Sequence, residues 1–145
     1  MQPPMVISNE AERAAASEGR DLAAIAVARA GALLAELAEE ATSLAGLLAE
    51  QGRSRNLASV LCRRAELAGQ LGRKLARVAD SRPIATTTLL NDAILSLDGI
   101  AVDVEYASDF ANDVVLRNQV ARARLAVTTT GCSLEDALRA LAARR

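Results

Sequence analysis

The sequence predicts an all-α protein, an antiparallel helical bundle of three long helices plus a short C-terminal helix, coiled-coil-like and dimeric. Composition carries the class: alanine supplies 32 of the 145 residues and leucine 21, both strong helix formers. Aromatic residues, which strands favour, are reduced to Tyr106 and Phe110. Spacing carries the architecture, because apolar residues recur at helical intervals through most of the chain.

Residues 1–8 contain Pro3 and Pro4 and read as a flexible lead-in; residues 9–145 read as one helical-bundle domain. Helix 1 is expected over about 9–51. Asn9 followed by Glu12 fits a capping box, and Gly52 is placed to end the helix. Its apolar seam reads Ala23, Ala26, Ala30, Leu33, Leu37, Leu44 and Leu47, with Val27, Leu34, Ala41 and Leu48 beside it. That stripe is wide enough for bundle packing. Helix 2 is expected over about 55–80, opened by Ser54 and closed before Pro83, since proline disfavours a helical residue ahead of it. Its leucines and valines at 57, 60, 61, 67, 71, 75 and 78 are the expected core.

Helix 3 is expected over about 86–128 with Thr86 as its cap. Leu90, Leu97, Val104, Ala111, Asn118 and Leu125 occupy one heptad position, and Ala93, Ile100, Ala107, Val114 and Ala121 its partner. Thr128 through Gly131 then read as a turn, and Ser133 with Asp136 as a second capping box opening helix 4 over about 133–143. At 1.5 Å per residue, helix 3 would span roughly 60 Å against about 40 Å for helix 2. The stretch from Val114 to Leu125 would then lack a partner within the chain, and Asn118 sits where a polar residue often fixes oligomer state. These lengths point to a homodimer, with Leu95, Val102, Val114, Asn118, Ala121 and Leu125 as its candidate interface or as the contact for another protein.

Residues 90–115 hold six acidic side chains and no basic one, inside one of the most apolar stretches of the chain. On a helical wheel Asp98, Glu105, Asp109 and Asp113 fall within a sector of about 80°, opposite the apolar face. The strip is therefore a polar face, solvated or paired with arginines; docking of a basic partner and divalent-metal binding are the sharper alternatives. Charge alternates by block, from −5 over residues 1–50 to +6 over 51–82, −6 over 83–115 and +4 over 116–145. Antiparallel neighbours can thus pair opposite charges, which selects register more than it stabilises. Arg64 falls in the middle of helix 2's apolar side, while Asp92 and Asp103 lie at the border of helix 3's apolar face. A charge placed there needs a partner, and Asp103 or Asp92 is the expected one; otherwise Arg64 reaches solvent along its stem.

Several chemistries are restricted outright. The chain has no histidine, which removes histidine-containing zinc sites and histidine-dependent triads. Cys62 and Cys132 do not make a disulfide framework. Cys132, just ahead of the expected helix 4, is a candidate reactive thiol because a helix N-terminus lowers thiol pKa. Cys62 is a candidate partner only if the fold brings the two together. Glu36, Glu39 and Glu40 give an ExxE on helix 1, and magnesium chemistry on phosphates needs converging carboxylates of that kind. The spacing resembles one half of the motif of the all-α NTP pyrophosphohydrolases. That family pairs it with a later ExxD, whereas Glu105 to Asp109 and Asp109 to Asp113 are spaced by four. A divalent-metal-dependent nucleotide phosphohydrolase is accordingly the alternative function, and no family membership is read from the match.

The bases Arg53, Arg55, Arg63, Arg64, Arg73, Lys74 and Arg77 wrap around helix 2 with no aromatic near them, which disfavours nucleic-acid binding. Net charge is −1, so no global field steers the chain to a polyanion. The opening MQPPMVISNE lacks the basic segment and apolar core of a signal peptide. No apolar run approaches the roughly 18 residues of a membrane span. Arginine outnumbers lysine sixteen to one, a bias that fits a GC-rich bacterial genome. The expectation is a cytoplasmic, non-enzymatic helical interaction or oligomerisation module, an adaptor or scaffold needing no cofactor.

Overall fold

The computed structural model describes residues 5–52, 54–78 and 83–143. Four helices make up the fold: α1 (Met5–Glu50), α2 (Arg55–Val78), α3 (Pro83–Ser108) and α4 (Val114–Ala142). No strand occurs among the described residues. Each helix packs on its neighbours in chain order and α4 closes back on α1, while α2 and α4 do not touch. The result is a bundle with α1 and α3, and α2 and α4, on its diagonals.

The buried positions follow alternating spacings of three and four on every helix. On α1 they run Ala23, Val27, Ala30, Leu34, Leu37, Ala41, Leu44 and Leu48. On α3 they run Leu90, Ala93, Leu97, Ile100, Val104 and Ala107. Such a stripe turns one face of a helix to a common core. At 46 residues α1 is about 70 Å long, against about 44 Å for the 29-residue α4, so part of it runs past the helices it packs on.

Several expectations are corrected. The expected helix over 86–128 is two antiparallel helices, broken at residues 109–113. Ser108 donates from its hydroxyl to the Glu105 carbonyl at 2.6 Å, and the amides of Asp109, Phe110 and Ala111 bond three residues back instead of four. That tightening ends α3. Asp113 then adopts an extended backbone (φ −119°, ψ 166°), and its side chain accepts the Leu116 amide at 2.8 Å as the N-cap of α4. The turn advances the apolar phase, so the α4 seam continues through Leu116, Val120, Ala123, Leu134, Ala137 and Leu141. Val114, Asn118, Ala121 and Leu125, in phase with the α3 seam on paper, are exposed instead.

The expected turn at 128–131 and the expected helix over 133–143 both lie inside α4. Thr128 and Thr129 donate to the carbonyls of Arg124 and Leu125, one turn back, so their hydroxyls do not compete with the helix. Thr130 donates across to the Leu33 carbonyl of α1. At the other end of the chain, α1 begins at Met5, so Asn9 lies within it; α3 begins at Pro83, at the helical position that proline favours, and Thr86 is buried inside it.

The α2 core also differs. Small residues face α1: Ala58, Ala65 and Ala68 are buried with Leu61 and Leu75, while Val60 and Leu67 are exposed. The reason is backbone proximity, since a Cβ added to Gly72 would lie 2.6 Å from the Gly31 carbonyl oxygen. Helices that approach so closely leave no room for leucine between them. The end of α1 behaves as expected, with Gly52 at φ 63° closing the helix and Ser54 accepting the Leu57 amide to open α2.

Candidate interaction surface

Two helix faces that the core does not use come together between α2 and α3. On α2 the stripe is Val60, Arg64, Leu67, Leu71 and Lys74, again at spacings of four and three. On α3 it is Asp92, Leu95, Gly99, Val102 and Tyr106. Leu67 is 56% exposed, Leu95 70%, Val102 53% and Tyr106 59%. Between the stripes runs a groove of about 450 Å³ that Arg64, Leu67, Lys74, Asp92 and Leu95 help to line.

Arg64 forms the floor of this groove. Its Nη1 donates to the Gly99 carbonyl at 2.7 Å and lies 2.9 Å from Asp103 Oδ1. Gly99 makes the approach feasible, because a Cβ there would stand 3.2–3.3 Å from the guanidinium and its stem. The Asp103 side chain is only 7% exposed and its Oδ2 has no hydrogen-bond partner, whereas Arg64 keeps a 40% exposed side chain. Burial pushes the Asp103 carboxyl above the usual carboxylate range, and the charge and hydrogen bond of Arg64 offset part of that. Asp92 is exposed at the groove rim and makes no ion pair with Arg64.

The four residues of the acidic strip separate into distinct roles. Glu105 receives two hydrogen bonds from Arg124 of α4, at 2.8 and 3.0 Å. Those bonds hold its carboxyl below the usual range and raise the Arg124 guanidinium. Asp113 caps α4 and also accepts from Gln51 Nε2 at 2.7 Å, tying the α3–α4 turn to the end of α1. Asp98 and Asp109 are exposed and enter no ion pair among the described residues. No three acidic or cysteine side chains among the described residues converge as a metal-holding group.

Elsewhere, Glu36, Glu39 and Glu40 line an α1–α4 groove with Arg122 and Leu125. Glu40 is engaged structurally, since Gln119 Nε2 donates to both its carboxylate and its carbonyl oxygen. Cys132 sits mid-helix on α4 and not at a helix N-terminus, so the expected placement of a reactive thiol is not found; Cys62 is exposed on α2, the helix that α4 does not touch. Arg55, Arg63, Arg73, Lys74 and Arg77 are exposed around α2 without ion pairs among the described residues, and Arg53 lies outside those residues. The α4 candidates Val114, Asn118, Ala121 and Leu125 form an exposed stripe separate from Leu95 and Val102.

Sequence reasoning missed Tyr106, Leu67 and Lys74 as members of this surface. The signal is a second three-and-four stripe on each helix, but Leu67 also fits the pattern of a core residue. No helix among the described residues is long and apolar enough to cross a membrane. Neither protein-family models nor curated proteins nor solved structures give a match to this chain.

Proposed function

We propose that the chain is a non-enzymatic helical interaction module of the cytoplasm, an adaptor or scaffold that works through protein–protein contacts of coiled-coil type. The observation that carries this reading is the second apolar stripe on α3, where Leu95, Val102 and Tyr106 stay exposed although the α3 core is complete without them. A helix that packs on one side only is polar over the rest of its surface. Single exposed apolar residues need no explanation, but aligned ones on two adjacent helices mark a contact site.

The test is site-specific photo-crosslinking of the full chain in cells, with the crosslinker at Leu95, at Val102 and, as a control, at Thr42 on the exposed side of α1. A discrete protein adduct from 95 and 102 but not from 42 is expected. A folded chain that gives no adduct at either α3 position would overturn the reading.

A further inference from the structure

We propose that the partner on the α2–α3 face is a second copy of this chain, docked about a twofold axis parallel to the helices so that α2 of each copy lies on α3 of the other. This inference rests on the reading above and names the occupant of the same surface.

The charge distribution selects that occupant. At the groove the α2 side carries Lys74 and the α3 side Asp92; over the whole helices, exposed α2 bases outnumber its one acid, Glu66, while α3 exposes Asp92, Asp98 and Glu105 and no base. Neither Lys74 nor Asp92 makes an ion pair among the described residues, and Arg64–Asp103 is the one ion pair between α2 and α3 among them. A surface with one basic half, one acidic half and an apolar seam is complementary to itself. Two twofold arrangements can stack such a face on its copy. An axis perpendicular to the helices sets α2 on α2 and α3 on α3, opposing like charges along both. An axis parallel to the helices sets basic on acidic twice, and it alone removes the repulsion.

The parallel axis also preserves height along the bundle. Residues level with each other across the groove within one copy therefore face each other between copies. Lys74 and Asp92 line one end of that groove, about one helical turn apart in height, so Lys74 of each copy comes within side-chain reach of Asp92 of the other. Leu67 meets the level of Leu95, and Val60 that of Val102. The two α2–α3 pairs become an intermolecular four-helix layer with these side chains between them, and neighbouring helices remain antiparallel.

The size is sufficient. Helices of 24 and 26 residues are about 36 and 39 Å long, and two side by side are about 20 Å wide. That face offers roughly 700 Å² per copy, close to the about 800 Å² per partner of a stable interface.

The experiment compares the unmodified chain with Lys74→Glu and Asp92→Lys, alone and mixed, by native mass spectrometry and sedimentation. Both positions are exposed, so neither change disturbs the core. Each single variant opposes like charges at two symmetric places, and its dimer dissociation constant should rise about tenfold or more. The mixture restores one swapped pair and keeps one native pair. It should give heterodimers within about threefold of the native constant. Variants that dimerise as well as the unmodified chain, or a mixture that shows no preference for heterodimers, would overturn the arrangement. A monomeric unmodified chain would overturn self-pairing altogether. If photo-crosslinking at Leu95 then captures a different protein, the interaction reading stands and only the occupant is wrong. If it captures nothing, both fail.

Discussion

Replacing Gly72 by alanine tests the close contact between α1 and α2 that organises the bundle. A methyl group there would fall 2.6 Å from the Gly31 carbonyl oxygen and 3.0 Å from the Ala35 nitrogen. Ordinary contact needs about 3.5 Å, so the helices would have to part by roughly 0.5–1 Å over this stretch. Both obstructing atoms are backbone, which cannot swing aside. Overpacking of that kind costs about 1–3 kcal/mol, and the better helix propensity of alanine returns about 1 kcal/mol. Gly72→Ala should therefore destabilise by up to about 2 kcal/mol. Gly46 provides the opposite sign within the same protein: it is exposed, with nothing within 4 Å of an added Cβ, so Gly46→Ala should stabilise by about 0.5–1 kcal/mol. Urea denaturation followed by circular dichroism, at one fixed protein concentration, reads both. Gly72→Ala matching Gly46→Ala in stability would refute the close approach.

Further expectations concern particular side chains. Arg64→Leu strands the buried Asp103 carboxylate and should cost about 2–4 kcal/mol at neutral pH, while the double change Arg64→Leu with Asp103→Leu should recover most of it. Burial raises the Asp103 pKa in the folded state, and removing Arg64 takes away the charge that offsets it, so acidification relieves the stranded carboxylate by protonating it. The Arg64→Leu deficit should therefore shrink as pH falls toward about 4 and grow as pH rises; a deficit independent of pH from 4 to 7 would contradict the burial argument. The Glu105 carboxyl is shifted the other way, so its bond to Arg124 contributes above the usual glutamate range and is lost on acidification. Asp113→Ala should lower stability by about 1 kcal/mol through the lost α4 cap, and Asp113→Asn by less. In the native chain both thiols should titrate with a small disulfide reagent, and mild oxidation should give no Cys62–Cys132 bridge within one chain; a bridge would contradict the diagonal placement of α2 and α4.

The α3 seam from Leu90 to Ala107 was readable because every third or fourth residue in it is apolar. The break after it was hidden by coincidence: Ala111, Val114, Ala121 and Leu125 keep the heptad phase across the turn. The signal that outranked the phase was local, with Ser108, Asp109, Asn112 and Asp113 concentrating turn and cap chemistry in six residues. The run of threonines before Gly131 misled in the reverse direction, since hydroxyls that bond one turn back are compatible with a helix. On α2, ranking by size put leucines inside, whereas two facing glycines draw the backbones together and favour alanine. Size is a poor guide wherever helices touch backbone to backbone. At the surface, the wheel exposed Arg64 as a charge needing a partner and Leu95 and Val102 as apolar residues in an acidic sector. It could not show that α2 brings a matching basic stripe beside them, because that depends on how two helices are rotated against each other.

The central claim is that the α2–α3 face is occupied by another copy of the chain. Light-scattering mass of the purified full chain, from about 1 to 100 µM and at low and high salt, addresses it most directly. The expected result is twice the chain mass of 15.2 kDa at the upper concentrations, with the midpoint moving to higher concentration as salt screens the basic-on-acidic pairing. A mass that stays at 15.2 kDa across the whole range would contradict it.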